Sequence, residues 1–197
     1  MKRPSLRYLK TAIPIALAFG LAMAASADQS APLPTAPNVD LQRYAGRWYE
    51  LARLPMFFQK ADEAAIAEYA ANADGTLAVH NRALRQDGSE HDIRGTAKVL
   101  NPPINTKLAV RFDTWFGPLI PVSKQGNYWI LYVDADYRLA LVGTPSRKSL
   151  WLLARTPKVP PEEFEALVAR AKALGFEVSK LIRDPQLNES SVKPAAR

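Results

Sequence analysis

The 197-residue chain has no cysteine, and that absence removes several kinds of chemistry at once. It excludes a disulfide framework, a thiolate metal site and a cysteine nucleophile, and it leaves no cysteine to carry a lipid anchor at the start of a mature chain. Histidine is scarce: His80 and His91 are the only two, 11 positions apart rather than at helical spacing. A zinc site would have to be completed by carboxylates, so neither a metal nor a cofactor is expected. No apolar run reaches the roughly 20 residues that cross a bilayer as a helix. The nearest, residues 11–25, is 15 residues long and is interrupted by Pro14 and Gly20. Basic clusters interleaved with aromatics are also missing, which argues against nucleic acid as a partner.

What is present starts with that short apolar run. Lys2, Arg3, Arg7 and Lys10 precede it, and Ala25-Ser26-Ala27 follows it as a small-x-small site. This pattern predicts an export signal over residues 1–27, cleaved after Ala27. The whole chain carries 26 basic and 19 acidic residues; without the four basic residues of the signal the balance is 22 against 19, or +3. The basic character is therefore largely a property of the leader. Residues 28–38, rich in proline, read as a flexible or extended linker, and residues 184–197 have the composition of a frayed tail. One domain, residues 39–183, lies between them.

Within that domain, short runs rich in β-branched and aromatic residues recur between turn signals. They are RWYELARL, AIAEYAAN, TLAVHNRAL, HDIRGTAKVL, TKLAVRFD, YWILYVD, RLALVGT and SLWLLAR. Asp74-Gly75 and Asp87-Gly88 each stand between two runs, a strong hairpin signal. One segment departs from the rhythm: in PPEEFEALVARAKALGFE, Phe164, Leu167, Val168, Ala171 and Leu174 fall at helical spacing. Prolines open this helix, Glu162 and Glu163 fill its first turn and Gly175 follows its end. A short strand-like run, EVSKLI, comes next. Eight antiparallel strands leave exposed edges unless the sheet closes. The expected class is all-β: an eight-stranded up-and-down barrel, large enough inside for one small ligand, with the C-terminal helix packed outside. A β-sandwich is the alternative.

The first strand carries a more specific signal. Gly46-Arg47-Trp48-Tyr49-Glu50 resembles the signature of the lipocalin family, and YWILYVDADYRLALVG at 128–143 and WLLARTP at 151–157 follow in the family's order. The chain is similar to the bacterial outer-membrane branch of that family, which itself resembles apolipoprotein D and the plant temperature-induced lipocalins. The resemblance implies that Trp48 lies across the closed end of the barrel and that Arg155 stacks on its indole, with Gly46 beside them. Strand alternation then turns Glu50 and Ala52 inward, and Tyr49, Leu51 and Arg53 outward. Glu50 becomes a carboxylate inside an apolar cup, to be satisfied by a Tyr or Asn hydrogen bond or by a ligand head group.

Matching the remaining strands to the family pattern gives an inner wall of Leu77, Val79, Asn81, Ile93, Gly95, Ala97, Leu108, Val110, Phe112, Tyr128, Ile130, Val142, Trp151 and Leu153. Small inward residues at Gly95 and Ala97 leave room, although a tight backbone at Gly95 would equally require a glycine. Met56, Phe57 and Phe58 fall in the long first loop and Trp115 and Phe116 in the fifth-to-sixth connection; both groups are expected at the mouth, the second alternatively as a surface for a membrane or partner chain.

A wall of this kind suits a lipophile with one polar end. The resemblance implies a fatty acid or lysophospholipid, stored or transported in the bacterial cell envelope by a soluble periplasmic or secreted protein. A tetrapyrrole, carotenoid or sterol-like ring is the alternative guest. An isomerase or hydrolase on the same barrel is the less favoured reading, because His80 points outward and His91 sits at a hairpin tip. Peripheral contact with the outer membrane and pairing of two barrels stay open.

Overall fold

A computed structural model of the chain describes residues 31–56, 59–85, 87–114 and 122–185. The proposed export signal, Phe57, Phe58, Trp115, Phe116 and the tail beyond residue 185 lie outside the described residues. The strands are β1 (Gly46–Arg53), β2 (Glu63–Ala71), β3 (Leu77–Arg85), β4 (Glu90–Val99), β5 (Lys107–Phe112), β6 (Tyr128–Val133), β7 (Leu139–Gly143), β8 (Leu150–Ala154) and β9 (Ile182–Arg183). A four-residue helix, α1 (Leu41–Tyr44), precedes β1, and α2 (Pro161–Ala173) lies between β8 and β9.

Each of β2 to β7 pairs antiparallel with the next, β8 pairs with β1, and β1 pairs back to β2. The sheet is therefore a closed eight-stranded barrel, with β9 added on the free side of β1. The Asp-Gly pairs turn as expected, with Gly75 and Gly88 at φ +81° and +82°, a conformation that favours glycine.

Two apolar clusters lie on opposite sides of the wall. The inner one gathers Trp48, Leu77, Val79, Ala97, Leu108, Ile130, Val142 and Leu153. The outer one is the seat of α2: Phe164, Leu167 and Ala171 pack on Leu131, Leu139, Leu141, Leu150 and Leu152. Phe176 completes this seat by lying over Gly143, where an added Cβ would come within 2.7 Å of its ring. EVSKLI forms a 3₁₀ turn at Val178–Lys180 followed by the two residues of β9.

Two features depart from the sequence reading. Residues 31–38 do not stand off as a free linker: Leu33 and Ala36 are buried, and the Ala36 amide donates to the Ile130 carbonyl at 3.0 Å. In β1, alternation is broken by a bulge. Glu50 pairs with Leu153, but Ala52 pairs with Leu152, so one extra residue is absorbed between them. Leu51 and Ala52 both end on the outer cluster, and Arg53, opposite Trp151, turns inward. The expectation that Ala52 lines the cavity and Arg53 faces solvent is thereby reversed. The apolar face of α2 provides the reason, since it can bury both Leu51 and Ala52.

Candidate functional site

The closed end is built first. Asp40 caps α1 by accepting from the amides of Gln42 and Arg43, at 2.9 and 3.2 Å. This short helix aims Tyr44 into the barrel, where its carbonyl accepts from Trp48 Nε1 at 2.8 Å. Arg155 lies over the Trp48 indole at 3.9 Å. Its guanidinium donates to the carbonyls of Arg43, Tyr44, Ala45, Arg47 and Tyr137, at distances from 2.7 to 3.1 Å. Gly46, at φ +93°, leaves Arg155 space: an added Cβ would sit 3.3 Å from its Nη1. Gly46, Trp48 and Arg155 thus form the floor. Asp134 secures the β6–β7 turn beside it by accepting from the amides of Arg138 and Leu139.

Above the floor the inner wall opens. Leu77, Leu108, Ile130, Val142 and Ala97 are essentially inaccessible, whereas Asn81, Ile93, Phe112, Tyr128 and Trp151 keep part of their surface. Val79 and Val110 lie between these extremes, buried in the inner cluster. Gly95 is explained by the backbone rather than by spare volume. A Cβ there would collide with the Arg111 carbonyl and reach within 3.0 Å of Phe112 Cα, so β4 and β5 approach too closely for a side chain. Met56, half-buried, bridges to Gln59.

The polar points of the interior are more numerous than alternation suggests. Tyr128, on β6, shares hydrogen bonds with Tyr44 at 2.7 Å and with Tyr69, on β2, at 3.0 Å. Burial raises all three phenols, Tyr69 to about 12, so they remain protonated donors. Tyr128 also stacks on Trp151, with ring centres 6.3 Å apart. Asn81 Oδ1 is buried without a hydrogen-bond partner among the described residues.

Glu50 is buried, and neither a tyrosine nor an asparagine satisfies it. Arg53 Nη1 lies 3.2 Å from Oε1, and Gln59 Nε2 donates to the same oxygen at 3.0 Å. Arg53 also donates to Asp184 Oδ1 at 2.7 Å and to the Lys60 carbonyl. Burial, and then the charge of Asp184, push the Glu50 carboxyl well above its ordinary range; burial likewise raises Asp184 to about 6. Nearer the rim, Glu63 accepts from Arg85 at 2.5 Å and from the Lys60 amide at 3.0 Å. Burial opposes ionisation of Glu63, but these donors outweigh it and lower its pKa.

Sequence reasoning missed Tyr44, Tyr69, Arg53, Gln59 and Asp184. A capping aspartate at Asp40 and a tyrosine four residues later were the available signals for Tyr44. His80 is confined to the outer face, between Asp92 at 2.9 Å and Glu68 at 3.6 Å, and His91 is exposed. Glu68 also pairs with Arg47 at 2.7 Å, so this outer group is a surface ion network.

The fold is a closed eight-stranded antiparallel barrel with an arginine over its floor tryptophan, partly exposed residues on its inner wall and one outer helix. The chain belongs to the lipocalin family: the lipocalin-like domain matches residues 39–186. Temperature-induced lipocalin-1 of Arabidopsis thaliana is 41% identical over 163 residues, covering 80% of this chain and 86% of its own. Outer membrane lipoprotein Blc of Escherichia coli K12 is 38% identical over 146 residues, covering 74% of this chain and 78% of its own. Among solved structures, insecticyanin from Manduca sexta aligns at a TM-score of 0.58 with 19% identity, covering 84% of this chain and 89% of that one, a likeness of fold. Family membership supports the binding of small hydrophobic ligands.

Proposed function

We propose that the barrel holds one lipophilic molecule with a single hydrogen-bond-accepting end, a fatty acid or a lysophospholipid, for storage or transport in the bacterial cell envelope. The observation that carries this reading is the tyrosine chain. Three hydroxyls bring three protons, and their two mutual hydrogen bonds use only two. One O–H therefore remains to donate, whichever way the chain is oriented, and a carboxylate, ester or phosphate oxygen is its natural acceptor. Asn81 offers a further polar contact. The surrounding wall supplies affinity through apolar burial, about 0.8 kcal/mol per CH₂ removed from water. The relation to an outer membrane lipoprotein and the signal-like residues 1–27 support the envelope. Binding without catalysis is favoured because both histidines lie outside the cavity.

A second reading, a flat ring ligand, is favoured by the neighbouring faces of Tyr128 and Trp151, inclined at 25° to each other. Visible absorbance of the protein from its own cells separates it from a colourless acyl chain.

The test is titration of delipidated protein with oleate, a lysophospholipid and an apolar dye that lacks any acceptor. The triple variant Tyr44→Phe, Tyr69→Phe, Tyr128→Phe, which removes every phenol proton of the tyrosine chain, should weaken the two lipids roughly tenfold, the loss of about one charge-assisted hydrogen bond, and leave the dye unchanged. Failure of the parent protein to bind any of the three sinks the proposal.

A further inference from the structure

Most of the barrel wall is joined by backbone ladders, but β1 and β2 part company halfway. Their register runs only from Gly46–Tyr49 against Tyr69–Ile66; beyond it, Ala52 and Arg53 pair with Arg183 and Ile182 of β9. Asp184 crosses the split. The Asp184 amide donates to the Leu51 carbonyl at 3.1 Å, and its carboxylate accepts from the Ala65 amide at 2.9 Å and from Arg53 at 2.7 Å. Asp184 therefore fastens β9 to both strands that flank the opening.

The charges at this junction do not balance. Arg53 Nη1 faces two buried carboxylates, Glu50 and Asp184. Every neighbouring element contributes groups, yet none neutralises the second carboxylate among the described residues. On β3, Arg85 is committed to Glu63 of β2, which also senses His91, and Asp62 lies near Arg85. From the first loop, Lys60 presents its carbonyl and Gln59 its amide. Tyr69 of β2 is a neutral phenol. Arg183 of β9 is turned away, stacked on Phe164 and paired with Glu165 at 3.0 Å.

We propose that β9 is a detachable strap whose docking closes the seam between β1 and β2 and takes up a proton onto the Glu50–Asp184 pair, so that acid fastens it and alkali loosens it. With both carboxylates ionised, the docked strap holds an excess negative charge out of water. One proton on either carboxylate removes that excess while Asp184 keeps an oxygen for Ala65. Undocked, Asp184 returns to solvent and to an ordinary carboxylate pKa of about 4, and Glu50 is left with Arg53 and loses the negative neighbour that helps to raise it. Docked, Asp184 titrates at about 6 and Glu50 is held well above the carboxylate range. The docked state binds more protons across that window, so docking weakens as pH rises through it.

Hydrogen exchange on the full mature protein tests this, using peptides that report the Ala65 and Asp184 amides and correcting for the intrinsic pH dependence of exchange. Opening of these amides should become up to roughly tenfold more frequent per pH unit between about pH 4 and 6, while the β2–β3 ladder stays constant. Glu50→Gln leaves one carboxylate per guanidinium and should flatten the slope. Asp184→Asn, which keeps the size and an acceptor, should flatten it too; if that variant does not fold, Glu50→Gln decides alone. Opening that is independent of pH in the parent, or a full slope retained in Glu50→Gln, overturns the proposal. The measurement needs no guest, so its outcome is independent of what the cavity holds.

Discussion

The barrel wall is thin in two places, and each is mended by a different side chain. Between β5 and β6, among the described residues, only Lys107 and Leu108 find partners, Trp129 and Tyr128. Just past that point Asn127 inserts its amide: Oδ1 accepts from the Val110 amide at 2.8 Å and Nδ2 donates to the Val110 carbonyl at 3.0 Å. A primary amide has a donor and an acceptor, so it imitates a strand residue and needs no further help. At the β1–β2 seam the corresponding part falls to Asp184, which as a carboxylate can only accept. It satisfies Ala65 but requires a cation, and Arg53, delivered by the bulge, is already beside Glu50. The difference teaches that a neutral patch is self-contained, whereas a charged patch recruits neighbours and inherits a dependence on pH.

Replacing Arg53 with Met should be the most damaging way to break the contrast, because two buried carboxylates lose their cation. A loss of about 3–5 kcal/mol is expected from urea unfolding near neutral pH, as for other buried pairs stripped of one partner. A loss below about 1 kcal/mol would mean that the cluster is solvated and carries no charge burden. Asn127→Ala should cost less, about 1–3 kcal/mol for the abandoned Val110 groups, and the cost should be the same in mild acid and mild alkali. Any marked pH dependence there would erase the distinction between the two seams.

Glu50→Gln sharpens the comparison with the smallest effect. A carboxyl whose folded pKa is raised adds stability that is fully present below its unfolded pKa and is lost as pH rises through the folded value. Thermal unfolding should therefore find Glu50→Gln close to the parent near pH 4 and increasingly more stable than it as pH rises. A constant difference across that range would show that Glu50 does not titrate with folding.

Much of this architecture was legible in the residues. Strand alternation gave Leu108, Val110 and Phe112 a common face, Asp-Gly pairs demanded turns, and the apolar spacing from Phe164 to Ala171 demanded a helix with one buried stripe. The bulge was not legible, because ELAR contains no glycine or proline to mark it. Only the apolar surface of α2, distant in sequence, draws Leu51 and Ala52 to the same side. Asp184 was hidden for a related reason: Asp-Pro reads as the start of a tail, and the gap that Asp184 fills exists only once the barrel has closed. Gly95 was legible as small, but its cause is the nearby Arg111 carbonyl.

The floor also sets an order of events. Arg155 ties itself to carbonyls 108 to 112 positions earlier in the chain. Contacts of such long range close the largest loops and tend to form late in folding. A nascent chain that has been synthesised only as far as β7 has most of its wall but leaves the indole of Trp48 without its arginine cover. The floor therefore depends on the last strand of the closed barrel, and a chain that stops short of Arg155 leaves Trp48 uncovered.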